Sequence, residues 1–108
     1  MHPWAYMLSS IVFEVAGTTA MKFSEGLTRL TPSIAVVFFY LLSFGCFAIA
    51  VRRIDLSVAY AVWSGLGTAG IAAIGFFYFR EPVTAIKLAS ILIIIVGVIG
   101  LNLTGEHA

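Results

Sequence analysis

Hydrophobic positions along the chain fall into four long runs separated by short polar connections. The first run, Trp4–Met21, holds a single charged residue, Glu14, near its middle. The second, Ser33–Val51, is uncharged over 19 residues, long enough at about 1.5 Å rise per residue to span a hydrocarbon core. The third, Leu56–Phe79, is uncharged and glycine-rich, and Arg80-Glu81-Pro82 closes it. The fourth, Ala85–Leu103, is mostly aliphatic, with Lys87 close enough to its start to snorkel to the interface. These runs predict one four-helix transmembrane domain over residues 1–108, all-α and integral to the membrane, with both termini on the same side.

The connections sharpen that picture. Lys22–Pro32 carries Lys22, Glu25 and Arg29, with Gly26 and Pro32 as breakers, and reads as a loop. Arg52, Arg53 and Asp55 form a tight connection of interfacial anchors, and Thr104–Ala108 reads as a disordered polar tail. One side of the bilayer receives Lys22, Arg29, Arg80 and Lys87, the other Arg52 and Arg53, a weak bias toward placing both termini outside. A chain so evenly balanced is able to insert both ways. Many transporters pair inverted repeats around a midplane site, whereas one set of four helices shows no such repeat. The expectation is therefore a dimer, including two copies in opposite orientations.

Composition narrows the function. The chain is 61% hydrophobic and 10% charged, against about 25% charged in soluble domains, which excludes a soluble protein. Six Lys+Arg against five Asp+Glu exclude a strongly basic nucleic-acid surface. Cys46 is alone and reads as a packing residue, and His2 and His107 have no metal-ligand spacing. With no nucleophile triad, phosphate loop or metal cluster, the chain reads as a non-enzyme without cofactor or metal.

Candidate chemistry centres on Glu14. A charged side chain at mid-bilayer costs about 3 kcal/mol on insertion scales, so it marks a functional hypothesis. Ser10, Glu14 and Thr18 share a helix face at four-residue spacing, with Gly17 beside them and Met7 and Met21 close by. Such a carboxyl is either a protonated structural group between helices or a site holding a proton or a cation in exclusion. The second reading gives antiport without a second site. On the second helix Tyr40, Ser43, Phe44 and Phe47 share a face, and the Tyr40 hydroxyl needs a partner at depth. On the third, Tyr60, Trp63, Ser64 and Gly67 do so, and aromatic faces attract quaternary cations. Gly65, Gly67 and Gly70 mark either a hinge or close packing. On the fourth, Ser90, Gly97 and Gly100 allow close helix approach and suggest a dimerisation arm, with Asn102 near its end.

The chain resembles the small multidrug resistance family over nearly its full length. The resemblance rests on Phe13-Glu14-Val15, Gly17-Thr18-Thr19, Met21-Lys22-Phe23-Ser24-Glu25-Gly26 and Ala59-Tyr60-Ala61-Val62-Trp63-Ser64-Gly65, and extends to Gly97 and Leu101-Asn102. It implies an antiparallel dimer in the cell's inner (plasma) membrane, exchanging protons for lipophilic aromatic and quaternary ammonium cations. Glu14 from both subunits would bind proton or substrate in competition. Tyr60, Trp63, Tyr40, Ser43 and the aromatic Trp4 would line the cation site, and Ser64 and Thr18 would support the carboxylates. The Gly65–Gly67 segment would bend on alternating access. Gly17 points to the quaternary-ammonium branch, because the guanidinium branch usually has tryptophan there; the glycine is expected to leave space for a bulkier substrate. Trp4 departs from the tyrosine usual in that branch. The alternatives are export of guanidinium ions or polyamines on the same fold, one subunit of a heterodimeric exporter, or a non-transporting membrane assembly.

Overall fold

The computed structural model describes residues 2–105, all in four α-helices and their connections. The helices are α1 (Pro3–Phe23), α2 (Leu30–Ala50), α3 (Leu56–Phe77) and α4 (Ala85–Gly105). The His2 side chain accepts the Trp4 N–H at 3.2 Å, and Pro3 occupies the first turn of α1, where its missing N–H costs nothing. Helix α1 runs on through Lys22 and Phe23, which the sequence assigned to a loop. It stops where Glu25, Gly26 and Leu27 adopt positive φ of 51°, 76° and 68°. The Ser24 hydroxyl fastens that turn, donating to the Met21 carbonyl at 2.6 Å and accepting the Leu27 N–H at 2.9 Å.

Pro32 does not break the chain as expected. Helix α2 starts two residues before it, so the proline falls among the first-turn positions whose N–H groups lack helical partners anyway. At the other end of α3 the helix closes at Phe77, two residues earlier than the apolar run, because Arg80 turns the backbone with φ of 57°. The Thr84 hydroxyl accepts the Lys87 N–H at the start of α4, and the Lys87 ammonium donates to the Pro82 carbonyl at 3.0 Å. Helix α4 extends to Gly105, so Thr104 belongs to a helix and not to a polar tail. Residues 106–108, with His107, and the Asn102 side chain lie outside the described residues.

Main-chain packing runs α2–α1–α3–α4, with α4 resting on α3. The molecule measures 43 × 34 × 17 Å, so along its thinnest direction it is less than two helix diameters of about 10 Å. Met7, Ile11, Ala50, Ile54, Val58, Ala59, Val62 and Val98 form the buried cluster, and Trp4, Tyr6, Phe47 and Trp63 pack on it. Helices α2 and α3 are each long and apolar enough to cross a membrane by length and composition, and α4 contributes the apolar stretch Ala85–Leu101. Helix α1 is the polar one of the four, carrying Glu14 and Lys22, and it lies between α2 and α3.

Candidate functional site

The α1–α2 seam is zipped by polar pairs spaced along α1. Ser43 donates to the Ser10 carbonyl at 2.8 Å, its oxygen lies 3.2 Å from the Ser10 hydroxyl, and both side chains are wholly buried. Two turns further along, the Thr18 hydroxyl donates to Glu14 Oε2 at 2.7 Å and lies 2.7 Å from the Tyr40 hydroxyl. Since Thr18 has spent its proton on the carboxylate, Tyr40 is the donor in the second bond. The deep phenol thus has its partner, and Glu14 is tied to α2 through Thr18.

Gly17 is what admits Tyr40. A Cβ at that position would stand 2.7 Å from two ring carbons of Tyr40. The room that the sequence reading assigned to a bulky substrate is therefore filled by the chain's own tyrosine. On the opposite side, a Cβ at Gly67 would stand 2.7 Å from Glu14 Oε1, so that glycine lets α3 approach the carboxylate closely. A Cβ at Gly65 would collide with Val98 of α4, and one at Gly70 would stand 3.2 Å from Val15. Helix α3 is uninterrupted through all three. In this structure they serve close packing.

Glu14 opens onto a cavity of about 440 Å³ that it shares with Trp63, Ser64, Gly67, Thr68, Ile71 and Ala72. Trp63 stacks at tilted angles on Phe44 and Phe47 of α2, with centroids 6.0 and 5.2 Å away, and meets the edge of Tyr60 at 5.5 Å. Its indole Nε1 is buried without a hydrogen-bond partner among the described residues. A buried donor left without a partner carries a cost.

Not every predicted residue joins this cavity. Ser10 and Ser43 are occupied with each other, Trp4 packs on the apolar cluster, and Tyr60 is 57% exposed and reaches the site only through Trp63. Ser90, Gly97 and Gly100 lie on exposed positions of α4, and a Cβ at either glycine would meet nothing within 4 Å. Thr68, Ile71 and Ala72 were not singled out from the sequence. Their signal was there, since Thr68 and Ile71 extend the face of Ser64 by four and seven residues. Among the described residues no group of three or more His, Cys, Asp or Glu is placed to hold a metal ion.

Four helices, two of them long and apolar enough to cross a membrane, with the Glu14 carboxylate facing a cavity, make up a small all-α fold. The chain belongs to the small multidrug resistance family, whose description, Small Multidrug Resistance protein, matches residues 2–94. This is a transporter family, and the protein is not an enzyme. It is 48% identical over 104 residues to the uncharacterized membrane protein YvaE of Bacillus subtilis, covering 96% of this chain and 87% of that one. It is 39% identical to the multidrug resistance protein mmr of Mycobacterium leprae, covering 96% and 98%. It is also 40% identical to NepB of Paenarthrobacter nicotinovorans, a nicotine metabolites export pump subunit, covering 100% of this chain and 66% of NepB.

Proposed function

We propose that the protein is a proton-coupled antiporter that exports lipophilic aromatic and quaternary ammonium cations across the inner membrane. The observation that carries this reading is the Glu14 carboxylate, hydrogen-bonded by Thr18 on one side, approached by Gly67 on the other, and open to a cavity walled by Trp63. A carboxylate there holds a proton or an organic cation, not both. Deprotonated, it supplies the counter-charge while the Trp63 ring offers a cation-binding face. Protonated, it loses that charge and releases the cation. The exclusion itself couples the two flows. The working unit is a dimer of two oppositely oriented copies, each contributing a Glu14, with α4 and its Ser90, Gly97 and Gly100 positions carrying much of the contact.

The exposed face of α4 supports the dimer. Ile86, Leu92, Ile93, Val96 and Leu103 are all more than half exposed, and Val98 is the buried residue of that helix among those described. Identity of 40% to a pump subunit also favours a second reading, in which the partner is a related chain and the exporter is a heterodimer. Transport in proteoliposomes separates the possibilities. Tetraphenylphosphonium should be taken up against a proton gradient by the protein alone, and Glu14→Gln should abolish it. Coupled uptake surviving in Glu14→Gln would contradict the proposal. Uptake of guanidinium alone would move the protein to that branch, and activity only with a co-reconstituted second chain would select the heterodimer.

A further inference from the structure

The polar stripe on α1 does not end at Thr18. Lys22 follows it by four residues, so Glu14, Thr18 and Lys22 lie on one line, with Lys22 about 12 Å from Glu14 along the helix axis. At that end a second cavity, of about 330 Å³, opens between α1 and α3. Thr18 and Lys22 line it from α1, Ile71 and Gly75 from α3, and Phe79 and Glu81 from the turn that follows. Two features join it to the Glu14 cavity. Ile71 walls both, and Thr18, whose hydroxyl binds Glu14, faces it.

The turn after α3 is built to aim Glu81 backward. Positive φ at Arg80 lets the Glu81 N–H reach the Gly75 carbonyl at 2.9 Å, and the carboxylate then lies against Gly75, where any Cβ would collide with it. This holds an anion over the C-terminal end of α3, where the helix dipole opposes negative charge. Glu81 makes no ion pair among the described residues. In the same cavity the Lys22 ammonium stands 5.8 Å from the centroid of the Phe79 ring. An aromatic face and a carboxylate outside any ion pair are the two components that recognise an organic cation. Here the chain's own ammonium rests on that face.

We propose that this cavity is an outer cation seat, in which Phe79 and Glu81 receive an organic cation before it reaches Glu14. The Lys22 ammonium fills the seat until the incoming cation displaces it. The inference rests on the antiporter reading, because it assigns the outer seat to the same transported cation. The test uses the full-length protein in detergent micelles with tetraphenylphosphonium as probe, in the Glu14→Gln background. That substitution removes the inner carboxylate, so remaining binding reports the outer seat.

Weak binding should persist there, with chemical-shift changes at the Phe79 ring and the Lys22 ammonium. Adding Glu81→Gln or Phe79→Leu should weaken it about threefold, and Lys22→Met should strengthen it by removing the resident cation. In proteoliposomes of otherwise unaltered protein, Glu81→Gln should raise KM about threefold while kcat stays within about twofold, a split that general misfolding does not produce. Loss of all binding in Glu14→Gln, or binding indifferent to Glu81 and Phe79, would overturn the outer seat and leave the antiporter standing. Coupled transport surviving in Glu14→Gln would overturn the antiporter reading, and binding that depends on Glu81 and Phe79 would then remain as a cation site without the transport role.

Discussion

A hydroxyl has one proton to give, and Thr18 gives its own to Glu14, leaving Tyr40 to donate to Thr18 in turn. The carboxylate is therefore oriented from α2 without touching it. Replacing Thr18 by valine keeps the volume and removes both bonds, which leaves the Tyr40 phenol without its partner. A hydrogen bond to a charged group contributes about 1.5–3 kcal/mol, so Thr18→Val should destabilise the protein by about that amount. Thermal unfolding in detergent checks this; unchanged stability would make Thr18 a packing residue. Glu14 and its stripe were legible in the sequence, because a lone charge in an apolar run needs only one dimension to be seen. The insertion of Tyr40 beside Gly17 was not. It depends on the register between α1 and α2, which spacing along one helix does not fix.

The helices as elements were legible for the same one-dimensional reason, and their ends were less so. Apolar runs located all four, yet α1 extends through Lys22 and Phe23, and α2 begins before Pro32. Those boundaries follow from the local turn chemistry of Ser24 and from the tolerance of proline in a first turn. The glycines of α3 offered two readings from sequence, hinge or contact, and in this structure they make contacts. Gly65 in particular seats Val98, the buried residue among the described residues of α4. Gly65→Ala should destabilise the protein by about 1–3 kcal/mol through overpacking. Combining it with Val98→Ala should recover part of that loss, which a double-mutant cycle of thermal unfolding in detergent would read. Additive effects would show that α3 and α4 do not meet there.

At the scale of the whole molecule, thinness is the governing feature. A body 17 Å across in one direction leaves the Glu14 cavity open at its side and most of α4 bare. This shape suits the pairing proposed above, and the family is one of membrane transporters. Oligomeric partners leave no one-chain pattern beyond small residues and exposed aliphatics, so the sequence pointed to a dimer without giving its contacts.

Antiport through one site requires that proton and cation exclude each other at Glu14. The direct measurement is proton release when tetraphenylphosphonium is added to purified protein in weakly buffered detergent solution, repeated across a range of pH. Protons should be released on binding, with cation affinity rising as pH rises, and Glu14→Gln should release none. Binding without proton release, or the same affinity across that pH range, would contradict it.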